Sequence, residues 1–124
     1  MLVGNIFSLM VELNNEKQLS SMLKAMSDST RRDLLTQLCQ HGPGRVTDLA
    51  EMYDMSLNAI SKHIKVLEKC HLVTRTTTGR THWINADLNL VSLVENWLHS
   101  LKSIWALRLD QLEHLLTNKG DRHE

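Results

Sequence analysis

Asn58, Ser61, Lys62, His63 and Lys65 fall within one short stretch whose residue types suit contact with a nucleic acid. Asn and Lys side chains can meet base edges in a major groove, and Ser hydroxyls reach either bases or phosphates. Ser56 heads this stretch as a helix cap, because its oxygen can accept from the free amides of a first turn. Ser56 and Lys65 are expected at the boundary between backbone and bases. A little farther on, Arg75, Arg80 and His82 sit on two short runs containing Thr, Val and Ile that flank a Thr78-Gly79 turn. Such a hairpin has almost no core of its own, and its basic side chains can grip phosphates or the minor groove beside a helix already seated in the major groove. Arg80 is the preferred anchor, since Gly79 lets the turn approach closely.

Positioning these groups requires a helix from Ser56 and a hairpin running to Asn85. No Gly or Pro interrupts the residues up to Cys70, and Ile60, Ile64 and Leu67 recur at steps of four and three, forming an inward stripe. Lys69 extends the polar surface but is a less secure contact. Alone, this helix would equally fit a solvated amphipathic element of an ordinary domain, and the basic hairpin behind it is what favours DNA.

Ahead of the reading stretch, Leu2 to Leu13 place Leu2, Ile6, Leu9, Met10 and Leu13 on a helical face, and Asn14-Asn15 is expected to weaken or end that helix. A second periodic segment runs from Leu19 to Met26. Asp28 is a candidate cap for a third helix containing Leu34, Leu35 and Leu38, which the His41-Gly42-Pro43-Gly44 break terminates. Val46 to Met52 is a short helix, and the Tyr53-Asp54-Met55 turn joins it to Ser56. Two compact helices joined this way form a helix-turn-helix, and the hairpin makes it winged. Asn85 or Asp87 is expected to cap the last helix, along which Leu88, Val91, Val94, Leu98, Leu101, Trp105, Leu109, Leu112 and Leu116 form an apolar ladder. Trp97 and Trp105 read as packing anchors rather than an aromatic box. The tail after Asn118 is expected to fray.

The 124 residues suit one domain, residues 1–124, mainly α with a small β-hairpin wing. The 14 basic and 14 acidic residues cancel, so any affinity for DNA depends on distribution. Between Ser56 and Asn85 the five Lys or Arg residues face only Glu68. The first segment lacks basic residues that would draw it to anionic lipid, and no apolar run approaches a membrane span. A cytoplasmic location without a membrane partner is the simplest expectation. Cys39 and Cys70 make no disulfide framework, and both read as small buried hydrophobes.

The order and spacing of several motifs resemble the ArsR/SmtB family of bacterial winged-helix repressors. They are Leu23-Lys24-Ala25-Met26-Ser27-Asp28-Ser29-Thr30-Arg31-Arg32, Asp48-Leu49-Ala50, Met55-Ser56, Ile60-Ser61-Lys62-His63-Ile64-Lys65-Val66-Leu67, Leu72-Val73 and Gly79-Arg80. The resemblance covers about Gln18 to Leu116. It implies a homodimeric repressor whose terminal helices form the dimer interface, with a palindromic double-stranded DNA operator as partner. Arg31 and Arg32 resemble family positions near the DNA backbone. Leu9, Leu13, Val94, Leu98, Leu101, Trp105 and Leu112 are the candidate interface residues. Members commonly carry Gly where this chain has His71, so the reading helix is expected either to keep a left-handed cap at a cost of about 1 kcal/mol or to end in a different turn.

Metal and cofactor chemistry is not expected. The family's thiolate sensor places a Cys-x-Cys pair in the helix corresponding to Val46–Met52, which here has no cysteine. Glu95 and His99 lie one turn apart, but two ligands make a weak site. Ser61, His63 and Asp54 specify no nucleophile, base and oxyanion pocket together, so an enzyme is not indicated. The rival to a DNA-binding regulator is a protein-interaction module on the same fold, and the sequence does not name the inducing signal.

Overall fold

In the computed structural model, the backbone of residues 2–121 and the side chains of residues 5–118 are described. The Leu2 side chain and the tail expected to fray beyond Asn118 therefore fall outside the described side chains. Two compact units divide the chain, residues 1–93 and 94–124. The first contains helices α1 (Leu2–Met26), α2 (Ser29–His41), α3 (Val46–Met52) and α4 (Leu57–Lys69), and strands β1 (Gly44–Arg45), β2 (Val73–Thr78) and β3 (Thr81–Ala86). From Val94 onward the second unit is the body of helix α5 (Ser92–Asp121).

The core of the first unit is built from helical stripes. Met22 and Ala25 of α1, Leu34 and Leu38 of α2, Leu49 and Ala50 of α3, and Ile60, Ile64 and Leu67 of α4 are all buried. Leu72, Val73 and Ile84 close it from the sheet side. Each large apolar side chain so buried contributes about 1.5–3 kcal/mol relative to exposure. Both predicted caps form: Asp28 accepts from the Arg31 amide at 3.0 Å, and Ser56 from the Ala59 amide at 3.1 Å.

Four sequence expectations are corrected. Asn14-Asn15 does not end the first helix, because α1 runs unbroken for 25 residues. Asn disfavours a helix interior by no more than about 0.7 kcal/mol, too little to break a long helix with good formers on both sides. The Gly-Pro-Gly break also contains a strand. β1 pairs antiparallel with β3, and the sheet order is β1-β3-β2, so the hairpin is braced on one side. Neither Asn85 nor Asp87 caps the last helix, which begins at Ser92. Asp87 instead accepts from the Asn89 amide at 3.0 Å in an Asx turn, while Asn85 donates to the Thr76 hydroxyl at 3.2 Å. Finally, Cys39 is exposed, and only Cys70 is the buried hydrophobe expected of both.

His71 retains the left-handed conformation, with φ 62°. The Leu72 amide donates to the Leu67 carbonyl and the His71 amide to the Glu68 carbonyl, the paired bonds of a Schellman cap. Leu72 and Leu67 are both buried, and their packing holds a turn whose Cβ strain is only about 1–2 kcal/mol. Asp54, at φ 51°, ends α3 the same way, with Met55 donating to Ala50 and Asp54 to Glu51. Asp tolerates this region better than most residues, which makes the tight turn before Ser56 inexpensive.

Candidate nucleic-acid interface

Ile60, Ile64 and Leu67 anchor α4 in the core, which turns the opposite side of the helix to solvent. Asn58, Lys62, Lys65 and Lys69 are all exposed, and their steps of four, three and four place them in one outward row. Ser61 and His63 flank that row and are half-buried. Lys69, the least secure of the sequence candidates, thus shares a row with Asn58 and Lys62. Arg31, Ser56, Asn58, Lys62 and His63 line one open notch where the start of α2 meets α4.

His63 leans toward that notch, with Nδ1 3.8 Å from an Asp28 carboxylate oxygen and 3.5 Å from Arg31 Nη1. The Arg31 amide donates to Asp28 and holds its carboxyl below the usual carboxylate range, with the nearby Arg31 and His63 charges acting in the same direction. Arg31 is heavily engaged within the chain, because its Nε donates to the Ala25 carbonyl at 2.8 Å and Nη2 to the Lys24 carbonyl at 3.2 Å. Arg32 donates to the Met26 carbonyl at 2.7 Å. Both arginines therefore satisfy carbonyls that the end of α1 leaves without helical partners. Arg32 remains exposed, whereas Arg31 is half-buried.

The hairpin pairs Thr78 with Thr81 across a two-residue loop, with Gly79 at φ 62°. Arg80 projects from this loop and is exposed, as is His82, whose Nδ1 lies 3.2 Å from the Thr77 hydroxyl. Arg75 is placed differently. It forms a two-pronged pair with Glu68 of α4, at 2.8 and 3.3 Å, and that hydrogen bonding raises its pKa further. Glu68, the single acid between Ser56 and Asn85, is thereby committed to the root of the wing. Among the described residues, Lys62, Lys65, Lys69 and Arg80 form no salt bridge.

Sequence reasoning did not single out Leu57, which is 54% exposed between Ser56 and Asn58. An exposed apolar side chain there suits contact with a thymine methyl group. The available signal was its position in the first turn, where a residue on the apolar stripe is not yet covered by the core. Arg45 was missed too. It lies 5.9 Å from the Trp83 ring centroid and pairs with Asp48 at 2.8 Å, fastening β1 to β3 and α3.

Among the described residues, no three His, Cys, Asp or Glu side chains gather closely enough to hold a metal ion. Burial pushes the Cys70 thiol's pKa up, favouring its protonated form. No helix among the described residues is long and apolar enough to cross a membrane.

The family pattern described as "Bacterial regulatory protein, arsR family" matches residues 28–75, from the α2 cap into the wing. The chain is 32% identical over 107 residues to the HTH-type transcriptional regulator NmtR of Mycobacterium tuberculosis, covering 86% of this chain and 79% of that protein. It is 36% identical over 66 residues to the arsenical resistance operon repressor of Bacillus subtilis, covering 53% of this chain and 61% of that repressor. The structure of an ArsR-like transcriptional regulator from Rhodococcus sp. RHA1 superposes with a TM-score of 0.75 at 26% identity, covering 86% of this chain and 96% of that one. The helix-turn-helix and wing thus agree with these relatives, and the chain is a member of the ArsR family of winged helix-turn-helix, DNA-binding transcriptional regulators.

Proposed function

We propose that the protein is a homodimeric repressor, a single DNA-binding and dimerisation domain acting in the cytoplasm, which recognises a palindromic operator. The observation that carries this reading is the outward row of Asn58, Lys62, Lys65 and Lys69 on α4. Asn58 and Lys62, at the start of the helix, read base edges, with Ser61 and Leu57 beside them. Ser56, His63 and Lys65 approach the backbone, and Arg31 and Arg32 lie near it. Arg80 and His82 take phosphates or the minor groove. Arg75 serves mainly to hold the wing root through Glu68.

Pairing is supported by the apolar side chains that each terminal helix exposes. On α1 these include Leu9 and Leu13, and on α5 Leu98, Leu101, Trp105 and Leu112. Such surface exceeds what scattered exposed residues ordinarily account for. Val94, the remaining candidate for the interface, is 7% exposed. A two-fold pair would place its α4 helices about 34–36 Å apart, one turn of duplex. Selection of duplexes from a random pool at moderate salt is expected to return a palindrome with half-sites at that spacing. Recovery of no preferred sequence would overturn operator recognition.

A further inference from the structure

We propose that Gln18 is a positioning residue through which α1 sets the seat of the reading helix and the root of the wing. Its side-chain Nε2 donates to the Cys70 carbonyl at 2.7 Å, across 52 residues of chain. Gln18 precedes the buried Met22 and Ala25 at steps of four and three, so it is a half-buried polar residue on the same side of α1, at the edge of the core. An apolar residue would be the ordinary occupant of that position. An amide placed there loses hydration unless it finds a partner.

The partner it finds is unusually placed. At the end of α4, the Glu68 carbonyl accepts from Cys70 and His71, and the Leu67 carbonyl from Leu72. The Cys70 carbonyl lies beyond these bonds on a fully buried residue, and Gln18 satisfies it. Cys70 is also where the chain leaves α4 for the left-handed His71 and the buried Leu72-Val73 that begin the wing. One bond from α1 therefore holds the point from which both DNA-facing elements depart. The second link is at the other end of the same segment, where Arg31 holds the Lys24 and Ala25 carbonyls and lies 3.5 Å from His63 on α4. Held at both places, α4 follows α1, the helix proposed above to pair with a second copy. The inference rests on that reading for its link to pairing, while the bond itself does not.

The test compares Gln18→Leu and Gln18→Met with the wild-type chain, using the duplex that the wild type selects. Tyr53→Phe is the control, since it removes the 2.7 Å bond from Tyr53 to Asp33 elsewhere in the same unit. Both Gln18 variants are expected to lose affinity about fivefold or more, within the range seen for residues that couple elements without touching ligand. The salt dependence is expected to stay unchanged, because no phosphate contact is removed. Dimer dissociation is expected to stay at the wild-type value, with backbone amide resonance shifts centred on residues 70–73. Tyr53→Phe, compared at an equal loss of unfolding temperature, is expected to remain within twofold of the wild type. Gln18 variants within twofold, or losing no more than that control, would overturn the proposal. If neither variant folds, Gln18→Asn carries the same comparison with an amide one methylene short of the carbonyl. The resonances are read without DNA. A wild type that selects no duplex would therefore overturn operator recognition, whereas unshifted resonances at residues 70–73 in the variants would overturn the role of Gln18.

Discussion

Substitution of Asn58 or Lys62 is expected to change which duplex is preferred, with about 1–3 kcal/mol lost where either makes a good bidentate base contact. Selection experiments on each variant check this, and an unchanged preference in both would move the reading face elsewhere. Arg80→Ala has a different expected signature. Affinity should fall for many sequences together, and the salt slope should drop by about one. A loss confined to one base pair with the slope intact would place Arg80 in base readout. The types and order of these side chains were legible because α4 is cleanly periodic. What long side chains bond to was not legible. Arg75 finds Glu68 across the turn from α4 into β2, and Arg31 finds the end of α1 across the turn into α2, so each pair is set by the turn between its elements and not by residue type alone. The position of Leu57 depends equally on how soon the core begins to cover its helix.

His71→Gly is the sharpest test among the elements. Relieving the left-handed strain gains about 1–2 kcal/mol, and the greater freedom of Gly in the unfolded chain takes back about 0.4–1 kcal/mol. A net stabilisation near 0.5–1 kcal/mol is therefore expected in urea unfolding, and a destabilised variant would show that the His71 side chain contributes more than its strain costs. The caps at Asp28 and Ser56 could be read from sequence because their bonds are local. The α1 helix was misread at Asn14-Asn15, where a local preference worth tenths of a kcal/mol met a 25-residue helix. β1 was hidden for the opposite reason. Two residues have no periodicity, and only pairing with β3 makes Gly44-Arg45 a strand. The start of α5 was placed too early because Asp87 has the chemistry of a cap and uses it on a turn.

For the whole molecule, Leu101→Glu and Trp105→Glu are expected to weaken self-association and operator binding together, as sedimentation and duplex titration would show. A monomer retaining full operator affinity would defeat the proposed pairing. The fold class was legible at this scale because helix periods, one glycine turn and the hairpin agree with one another. Division of the apolar ladder was not, since a stripe looks alike whether its own chain or another covers it. Leu101 and Trp105 are exposed. Those uncovered faces bear on gene dosage. If two chains must meet before two reading helices act together, operator occupancy at low abundance follows the square of chain concentration, and halving the supply of protein cuts it about fourfold. Synthesis and degradation of the chain would then act as a threshold on its genes, even under a constant inducing signal.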